Sequence, residues 1–245
     1  MKNLIIKIDE KYFGKFFIKF YRSFYSIKRI QSSHKNWVTT LKDLRQYTLL
    51  TYWNMLFNLL ETNKVEGDIV ECGVGNGTTL SFILFNLVRN DMHRDRLYFG
   101  FDSFEGFPEP DLNDKNSIKI SKKGDYGHID EKFVLDNLIS LGFKKPDFKK
   151  IKFIKGFYEN SFSQEYKDIT KISILHIDCD LYSSTKISLE TWFDKVEKNG
   201  LIVFDEYLNS PGFPGAAKAI DEFLGEDKNK IKMCPISNHY YLIKN

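Results

Sequence analysis

From Gly67 onward, short runs rich in β-branched and aromatic residues alternate with segments of helical periodicity. Such alternation is typical of a mostly parallel sheet covered by helices, so we predict an α/β domain. Strands are predicted at 67–75, 97–104, 151–158, 172–180, 200–207, 232–237 and 240–245. Helices are predicted at 78–90, 130–142, 184–197 and 215–225.

The N-terminal segment, residues 1–45, differs from this domain. Pairs of aromatic residues recur every four residues from Tyr12 to Tyr25, which indicates a broad apolar helical stripe. Residues 1–46 carry 11 Lys/Arg against 3 Asp/Glu, whereas the other residues carry 25 against 30. We therefore predict a basic, amphipathic helical arm followed by one domain over residues 46–245. The arm is expected to pack on its own domain or on a second subunit of a homo-oligomer, or to contact a membrane surface through residues 12–30.

Apolar runs and cysteines bear on the expected compartment. No apolar run approaches the ~20 residues that span a bilayer. The three cysteines, Cys72, Cys179 and Cys234, are widely spaced within strand-like runs, a pattern that favours neither a disulfide framework nor a zinc site. We expect a cytoplasmic protein, with peripheral contact at the inner membrane surface as the alternative. No nucleic-acid partner is expected.

A glycine-rich segment, "VECGVGNGTT" (70–79), follows the first predicted strand and precedes a helix. It has neither the lysine of a P-loop nor the spacing of a dinucleotide fingerprint, since Thr78 stands where the last glycine would be. Glu71 would repel a pyrophosphate but suits a ligand with cationic groups. Asp102 ends the second strand, where an acid can hold a ribose diol. Together they favour a nucleoside ligand with a cationic tail, and a plain glycine turn with a capping Asp is the alternative.

Four acids lie at the ends of two other predicted strands. Asp178 and Asp180 lie in "LHIDCDLYSSTK", and Asp205 and Glu206 lie in "LIVFDEY". Carboxylates that converge at one sheet edge repel one another unless a divalent cation binds them, and all-oxygen ligands suit Mg²⁺, Mn²⁺ or Ca²⁺. The alternative is that they cap helices or pair with Lys186 and Lys218. A polar segment, residues 108–129, is predicted to be a lid loop beside this edge.

The segments "VECGVGNGTT", "FDSFEGFP", "HIDCDLYSSTK" and "FDEYLNSPGFPGAAKAIDEF" together resemble the macrocin O-methyltransferase (TylF/MycF) family, over roughly residues 45–243. The resemblance implies a class I methyltransferase, with a Rossmann-like, seven-stranded, mostly parallel sheet. It also implies an enzyme that uses S-adenosylmethionine (SAM) and Mg²⁺ to methylate a hydroxyl of a small-molecule or glycan sugar acceptor.

The same resemblance assigns roles to individual residues. It places Asp180 as the general base. It places the cofactor on Glu71, Gly73, Gly75, Thr78, Asp102 and Ser103, and the metal ion on Asp178, Asp205 and Glu206. This chain departs from the usual pattern in two places, because the family often has Asp at position 206 and Gly at position 179.

Two other functions and two other bases compete with this interpretation. The Asp-x-Asp sequence also occurs in metal-dependent glycosyltransferases, but that function leaves the glycine loop and Asp102 unexplained. A non-catalytic membrane-surface or scaffold protein on a methyltransferase fold would not need the acids at 71, 102, 178 and 180. His128 and His176 are alternative general bases.

Overall fold

The computed structural model describes residues 41–89, 95–115, 120–162, 168–208, 212–237 and 239–245. Residues 1–40 of the predicted arm, including the proposed membrane contact at 12–30, lie outside the described residues. Residues 116–119 of the predicted lid also lie outside them. Thr48–Asn245 form one compact unit.

The core of this unit is a seven-stranded sheet with the strand order β3-β2-β1-β4-β5-β7-β6. Neighbours among β1 to β5 pair in parallel, and β7 pairs antiparallel with β5 and β6. The strands are β1 (Asp68–Cys72), β2 (Tyr98–Asp102), β3 (Ile151–Lys155), β4 (Ile172–Ile177), β5 (Val196–Phe204), β6 (Lys232–Met233) and β7 (Tyr240–Ile243). The predicted α/β class and seven-stranded, mostly parallel sheet are confirmed.

The α-helices of the described residues are α1 (Leu41–Thr62), α2 (Thr78–Arg89), α3 (Glu131–Ser140), α4 (Tyr158–Ser161), α5 (Tyr182–Trp192) and α6 (Pro214–Leu224). Four match predicted helices, whereas α1 and the single turn α4 were not predicted. Residues 52, 53, 56, 57 and 60 of α1 are buried, which is the helical spacing that could have revealed it. No described helix is both long and apolar enough to cross a bilayer.

Strand alternation divides the core into two apolar layers, one on each face of the sheet. In β1, Ile69 packs in the layer that contains α1, α2 and α3, whereas Val70 and Cys72 pack in the layer that contains α5 and α6. Glu71 therefore points to the same face as Ile69. This places a carboxylate inside the layer beneath α1.

Candidate active site

The strand order reverses between β1 and β4, because β1 continues to β2 on one side and β4 continues to β5 on the other. In open parallel sheets a ligand crevice forms beyond the carboxyl ends of the strands at such a point. Here the backbone N–H of Asp178 donates to the Cys72 carbonyl at 2.9 Å, and the N–H of Gly73 donates to the Phe101 carbonyl at 2.8 Å. The ends of β1, β2 and β4 thus meet at the glycine-rich segment.

Two glycines shape this segment for different reasons. Gly73 has φ +94°, and a Cβ there would lie 1.8 Å from the Asp178 carbonyl oxygen. Gly75 has φ +50°, and no atom lies within 4 Å of the position of its Cβ. Gly73 is therefore required for the close approach of two strand ends, whereas Gly75 borders open space that a ligand can occupy.

Asp102 holds this glycine loop in place. Its Oδ2 accepts the N–H groups of Val74 at 2.9 Å and Gly75 at 3.0 Å, and its Oδ1 accepts the N–H of Phe104 at 2.8 Å. The carboxylate thus joins the end of β2 to the loop after β1. The sequence predicts that Asp102 holds a ribose. In the structure its side chain is half-buried at the carboxyl end of β2, and its oxygens accept hydrogen bonds from backbone N–H groups.

The predicted cofactor residues Thr78 and Ser103 also make local bonds. The Thr78 hydroxyl donates to Asn76 Oδ1 at 2.7 Å at the start of α2. The Ser103 hydroxyl donates to the Gly106 carbonyl at 2.7 Å and accepts the N–H of Glu105 at 3.1 Å. Both residues therefore stabilise the loops that border the crevice, and their contact with a cofactor stays a prediction.

Glu71 lies deeper than the other predicted cofactor residues. It is 0% exposed; one carboxylate oxygen accepts the Tyr98 hydroxyl, and the other is 2.8 Å from His176 Nδ1. The Trp53 indole lies perpendicular to the His176 ring, with 5.2 Å between the ring centroids. Burial, followed by the Glu71 charge, raises the pKa of Tyr98 well above its usual range, so the phenol remains the donor. The hydrogen-bonded residues Glu71, Tyr98 and His176 join β1, β2 and β4 two residues before the glycine turn. Contact of Glu71 with a cofactor stays a prediction.

The two glycines provide a matched pair of substitutions. Both positions have a left-handed backbone, which costs an alanine about 1 kcal/mol. Gly73→Ala adds the clash with Asp178 and should lower the free energy of unfolding by about 3 kcal/mol in total. Gly75→Ala should lower the free energy of unfolding only by the backbone cost of about 1 kcal/mol, but it should weaken SAM binding. Urea unfolding and calorimetric SAM titration measure the two effects, and equal stability loss in both variants would contradict the assignment.

Three acids meet next to the glycine loop. Oxygens of Asp178, Asp205 and Glu206 all lie within 4.8 Å of one another. The main chain brings them together, because Asp178 follows β4 and the Asp205 N–H donates to the Ile177 carbonyl at 3.1 Å. Within the described part of the chain, no side-chain hydrogen bond reaches the Asp178 carboxylate. The three acids that the sequence assigned to a metal ion are thus placed side by side.

The electrostatics of this acid cluster (Asp178, Asp205 and Glu206) are those of crowded like charges. Burial, followed by the charges of Asp205 and Asp180, raises the pKa of Asp178 well above its usual range. Burial, followed by the charges of Asp178 and Asp205, likewise raises the pKa of Glu206. Burial also opposes ionisation of Asp205, but a hydrogen bond and charge from His239 outweigh it and lower the pKa of Asp205. A divalent cation bound to these three carboxylates would offset their mutual repulsion.

Asp180 lies in the tight turn after β4. Its φ is +64°, and the next N–H, that of Leu181, donates to the Cys179 carbonyl at 2.6 Å. Asp is among the few residues that adopt this left-handed conformation without large cost. Asp180 contributes charge to the cluster but is not part of the group with ligand spacing formed by Asp178, Asp205 and Glu206. Asp180 therefore lies beside the acid cluster and is not one of its three members.

The lysines proposed as alternative partners for these acids contact other residues. Lys186 lies 4.0 Å from Glu190, and Lys218 lies 3.3 Å from Glu222. The alternative bases differ in exposure, since His128 is exposed and His176 is buried. The lysine contacts favour a site made by Asp178, Asp205 and Glu206.

The described part of the predicted lid is anchored at two places. Its base is closed by the Phe107 N–H, which donates to the Asp125 carbonyl at 2.9 Å. Further along, Asp114 Oδ1 accepts the N–H of Tyr182 at 2.9 Å, at the first residue of α5. Sequence reasoning missed Asp114, since "DLND" in a polar segment gives no sign of its buried contact. Movement of this segment as a lid stays a prediction.

Sequence reasoning also missed His239. Its Nε2 lies 3.2 Å from Asp205 Oδ1, although the two residues are far apart in the chain. The residue precedes β7, and the antiparallel pairing of β7 with β5 brings it to the acid cluster. The contact between His239 and Asp205 could be predicted from the sequence only if the pairing of β7 with β5 were already known.

The fold and the site define a class of protein. A seven-stranded sheet with an antiparallel β7, a glycine loop at the switch point and an acid at the end of β2 form a class I methyltransferase fold. A crystal structure of a calicheamicin methyltransferase shares this fold, with a TM-score of 0.68, 24% identity and 89% of each chain covered.

The family model for macrocin-O-methyltransferase (TylF) matches residues 50–239, and the chain belongs to this family. It is 26% identical over 163 residues to demethyldecarbamoylnovobiocin O-methyltransferase of Streptomyces niveus, covering 66% of this chain and 59% of that protein. It is 24% identical over 166 residues to mycinamicin III 3''-O-methyltransferase of Micromonospora griseorubida, covering 65% of this chain and 61% of that protein. The chain thus spans about three fifths of the length of these curated relatives.

Proposed function

We propose that this protein is a SAM-dependent O-methyltransferase that acts on a sugar hydroxyl of a nucleotide sugar, a glycan or a glycosylated natural product. The observation that carries the proposal is the acid cluster at the switch point, directly beside the glycine loop. Family membership and the names of the relatives, which are O-methyltransferases, support the same activity.

The residues at the switch point fit SAM. The open space beside Gly75 leaves room for a ligand, and Asp102 and Ser103 border the same crevice after β2. The residues that would hold the cofactor are Glu71, Gly73, Gly75, Thr78, Asp102 and Ser103. SAM, when bound, supplies a methyl group on a positively charged sulfur. For Glu71, whose oxygens already contact Tyr98 and His176, we propose that the main contribution is to fix the strand end before the glycine turn.

The acid cluster fits a divalent cation such as Mg²⁺. Asp178, Asp205 and Glu206 would hold it, since their oxygens are grouped and the pKa values of Asp178 and Glu206 are raised by burial and mutual repulsion. A bound cation lowers the pKa of a hydroxyl that contacts it. The side chain of Glu206, which is one methylene longer than that of Asp, remains within this group.

The protein's own residues then position the acceptor and move its proton. A sugar hydroxyl is a poor nucleophile at neutral pH, so a base must take its proton as the new C–O bond forms. We propose Asp180 for this role, because it borders the acid cluster and is held in a fixed turn. The remaining contribution is alignment of the acceptor oxygen with the methyl group.

Several broader expectations accompany this proposal. The three cysteines are buried free thiols, which suits a reducing cytoplasm. Homo-oligomerisation, and contact of residues 12–30 with a membrane, remain predictions that concern the segment outside the described residues.

Incubation with methyl-labelled SAM and a panel of nucleotide sugars and glycosides tests the function. We expect a product heavier by one labelled methyl group, detected by mass spectrometry, and formation of S-adenosylhomocysteine in equal amount. The control is the same panel without a divalent cation, in which turnover should stop. Transfer of a sugar from a nucleotide sugar without consumption of SAM would overturn the proposal in favour of a glycosyltransferase.

A further inference from the structure

We infer that His239 is a positioning residue for the cation site, and that it acts by fixing the carboxylate of Asp205. The inference rests on the proposed function, because it takes Asp205 as a cation ligand. It assigns the segment between β6 and β7 a role at the carboxyl ends of the parallel strands. That role is to donate a hydrogen bond to a ligand rather than to bind the cation directly.

The imidazole contacts oxygen atoms through both of its nitrogens. Nδ1 lies 2.9 Å from the Ser237 carbonyl oxygen, and Nε2 lies 3.2 Å from Asp205 Oδ1. A backbone carbonyl only accepts hydrogen bonds, so Nδ1 must donate to it. An ionised carboxylate also only accepts, so Nε2 donates to Asp205 when the ring is the imidazolium, which carries a proton on both nitrogens. The ring therefore links a fixed backbone atom to one oxygen of a proposed ligand.

The backbone around His239 is itself held in place. Its carbonyl accepts the N–H of Cys234 at 2.8 Å, which closes the turn between β6 and β7. On the other side, Phe204 at the end of β5 pairs with Tyr240. Asp205 follows and His239 precedes this pair of residues on adjacent strands, so their separation is set by the sheet.

The Tyr52 ring supports the imidazole from a different element. Their ring centroids are 5.5 Å apart with an interplanar angle of 34°, and the Tyr52 hydroxyl donates to the Tyr240 carbonyl at 3.1 Å. The His239 side chain is 16% exposed, so it has little room to rotate away. A side chain held in this way limits the rotation of the carboxylate that it contacts.

This arrangement has a specific consequence for cation binding. Three carboxylates repel one another before a cation arrives, so an unrestrained Asp205 would turn away from Asp178 and Glu206. The hydrogen bond from His239 opposes that movement and keeps one orientation available. Partners that orient metal ligands in this way typically change metal affinity by roughly 10- to 100-fold when they are removed.

Two substitutions separate the hydrogen bond from the ring. His239→Phe keeps an aromatic ring against Tyr52 but removes the donor, and we expect the dissociation constant for Mn²⁺ to rise roughly 10- to 100-fold. His239→Gln carries an N–H donor at a similar reach and should restore most of the affinity, to within about threefold of wild type. His128→Phe applies the first substitution to an exposed histidine and should leave Mn²⁺ affinity unchanged.

The measurement is titration of SAM-free protein with Mn²⁺, with free Mn²⁺ detected by electron paramagnetic resonance, alongside calorimetric titration with SAM. We expect SAM affinity to be unchanged in all three variants. Unaltered Mn²⁺ affinity in His239→Phe would overturn the inference while leaving the proposed function intact. Equal losses in the Phe and Gln variants, or a parallel loss of SAM affinity, would overturn it too. A wild-type protein that binds no Mn²⁺ would instead overturn the proposed cation site itself.

Discussion

Asp180→Asn is expected to lower kcat by a factor of ~10² or more, with SAM and cation affinities close to those of the wild type. The carboxylate is the proposed acceptor of the sugar hydroxyl proton, and an amide cannot take that proton. Asn suits the test because it is one of the few residues that tolerate the φ of +64° at this position. The rate loss can therefore be attributed to the missing base rather than to a disturbed turn.

Single-turnover kinetics with preformed protein–SAM complex would measure this loss on the chemical step. Asp180→Ala is the useful comparison, since it also removes the base but adds the cost of a left-handed alanine, about 1 kcal/mol. Both variants should be similarly slow, while only the Ala variant should show a reduced melting temperature. A near-normal rate in Asp180→Asn would exclude Asp180 as the base and direct attention to His176 or a bound water.

The strands and the location of the site could be predicted from the sequence because both depend on local patterns. Runs such as "ISILHI" have the composition of a buried strand, and parallel strands bring their carboxyl ends to one edge. These local patterns therefore predict that Asp178 and Asp205 lie at the same edge of the sheet. The sheet is confirmed, and these two acids lie together with Glu206.

Contacts between distant parts of the chain could not be predicted in this way. His239 reaches Asp205 only because β7 is antiparallel and inserted beside β5, which no local pattern specifies. Glu71 is predicted to contact a ligand because glycines follow it in the sequence. The residues that surround Glu71 depend on strand register, which places it between Gly100 of β2 and His176 of β4. The position of a carboxylate relative to the glycines does not reveal which side chains from adjacent strands meet it.

The second large effect expected is a reversal of stability between wild type and Asp178→Asn. With a chelator present, the Asn variant should melt at a higher temperature than the wild type at about pH 8. With saturating Mn²⁺, the wild type should melt at the higher temperature. The reason is that the carboxylate is unfavourable in the cation-free cluster and is a proposed ligand in the loaded one. Scanning fluorimetry measures both conditions, and Asp136→Asn, at an exposed α3 position, is the control for loss of one negative charge.

The sign of the cation-free effect follows from the raised pKa of Asp178. In the unfolded chain an Asp has a pKa of about 3.9, so above that pH the unfolded state releases the proton more readily than the folded state. The wild type therefore loses stability as the pH rises from about 4 toward the folded-state pKa, and the Asn variant avoids this loss. The raised pKa of Glu206 acts in the same direction in both proteins. The lowered pKa of Asp205 changes stability only below about pH 4, outside the range of about pH 5 to 8 that the experiment uses.

The advantage of Asp178→Asn in chelator should accordingly increase between about pH 5 and pH 8, and each 1 kcal/mol should appear as a shift of about 2–4 °C in a chain of this size. Mn²⁺ stabilises whichever protein binds it, by an amount that grows with the ratio of its concentration to the dissociation constant. A protein that lacks one of three carboxylate ligands should gain much less, which reverses the order of the melting temperatures. If the same protein is the more stable one with and without Mn²⁺, Asp178 does not bind the cation, and its raised pKa would reflect burial and neighbouring charges alone.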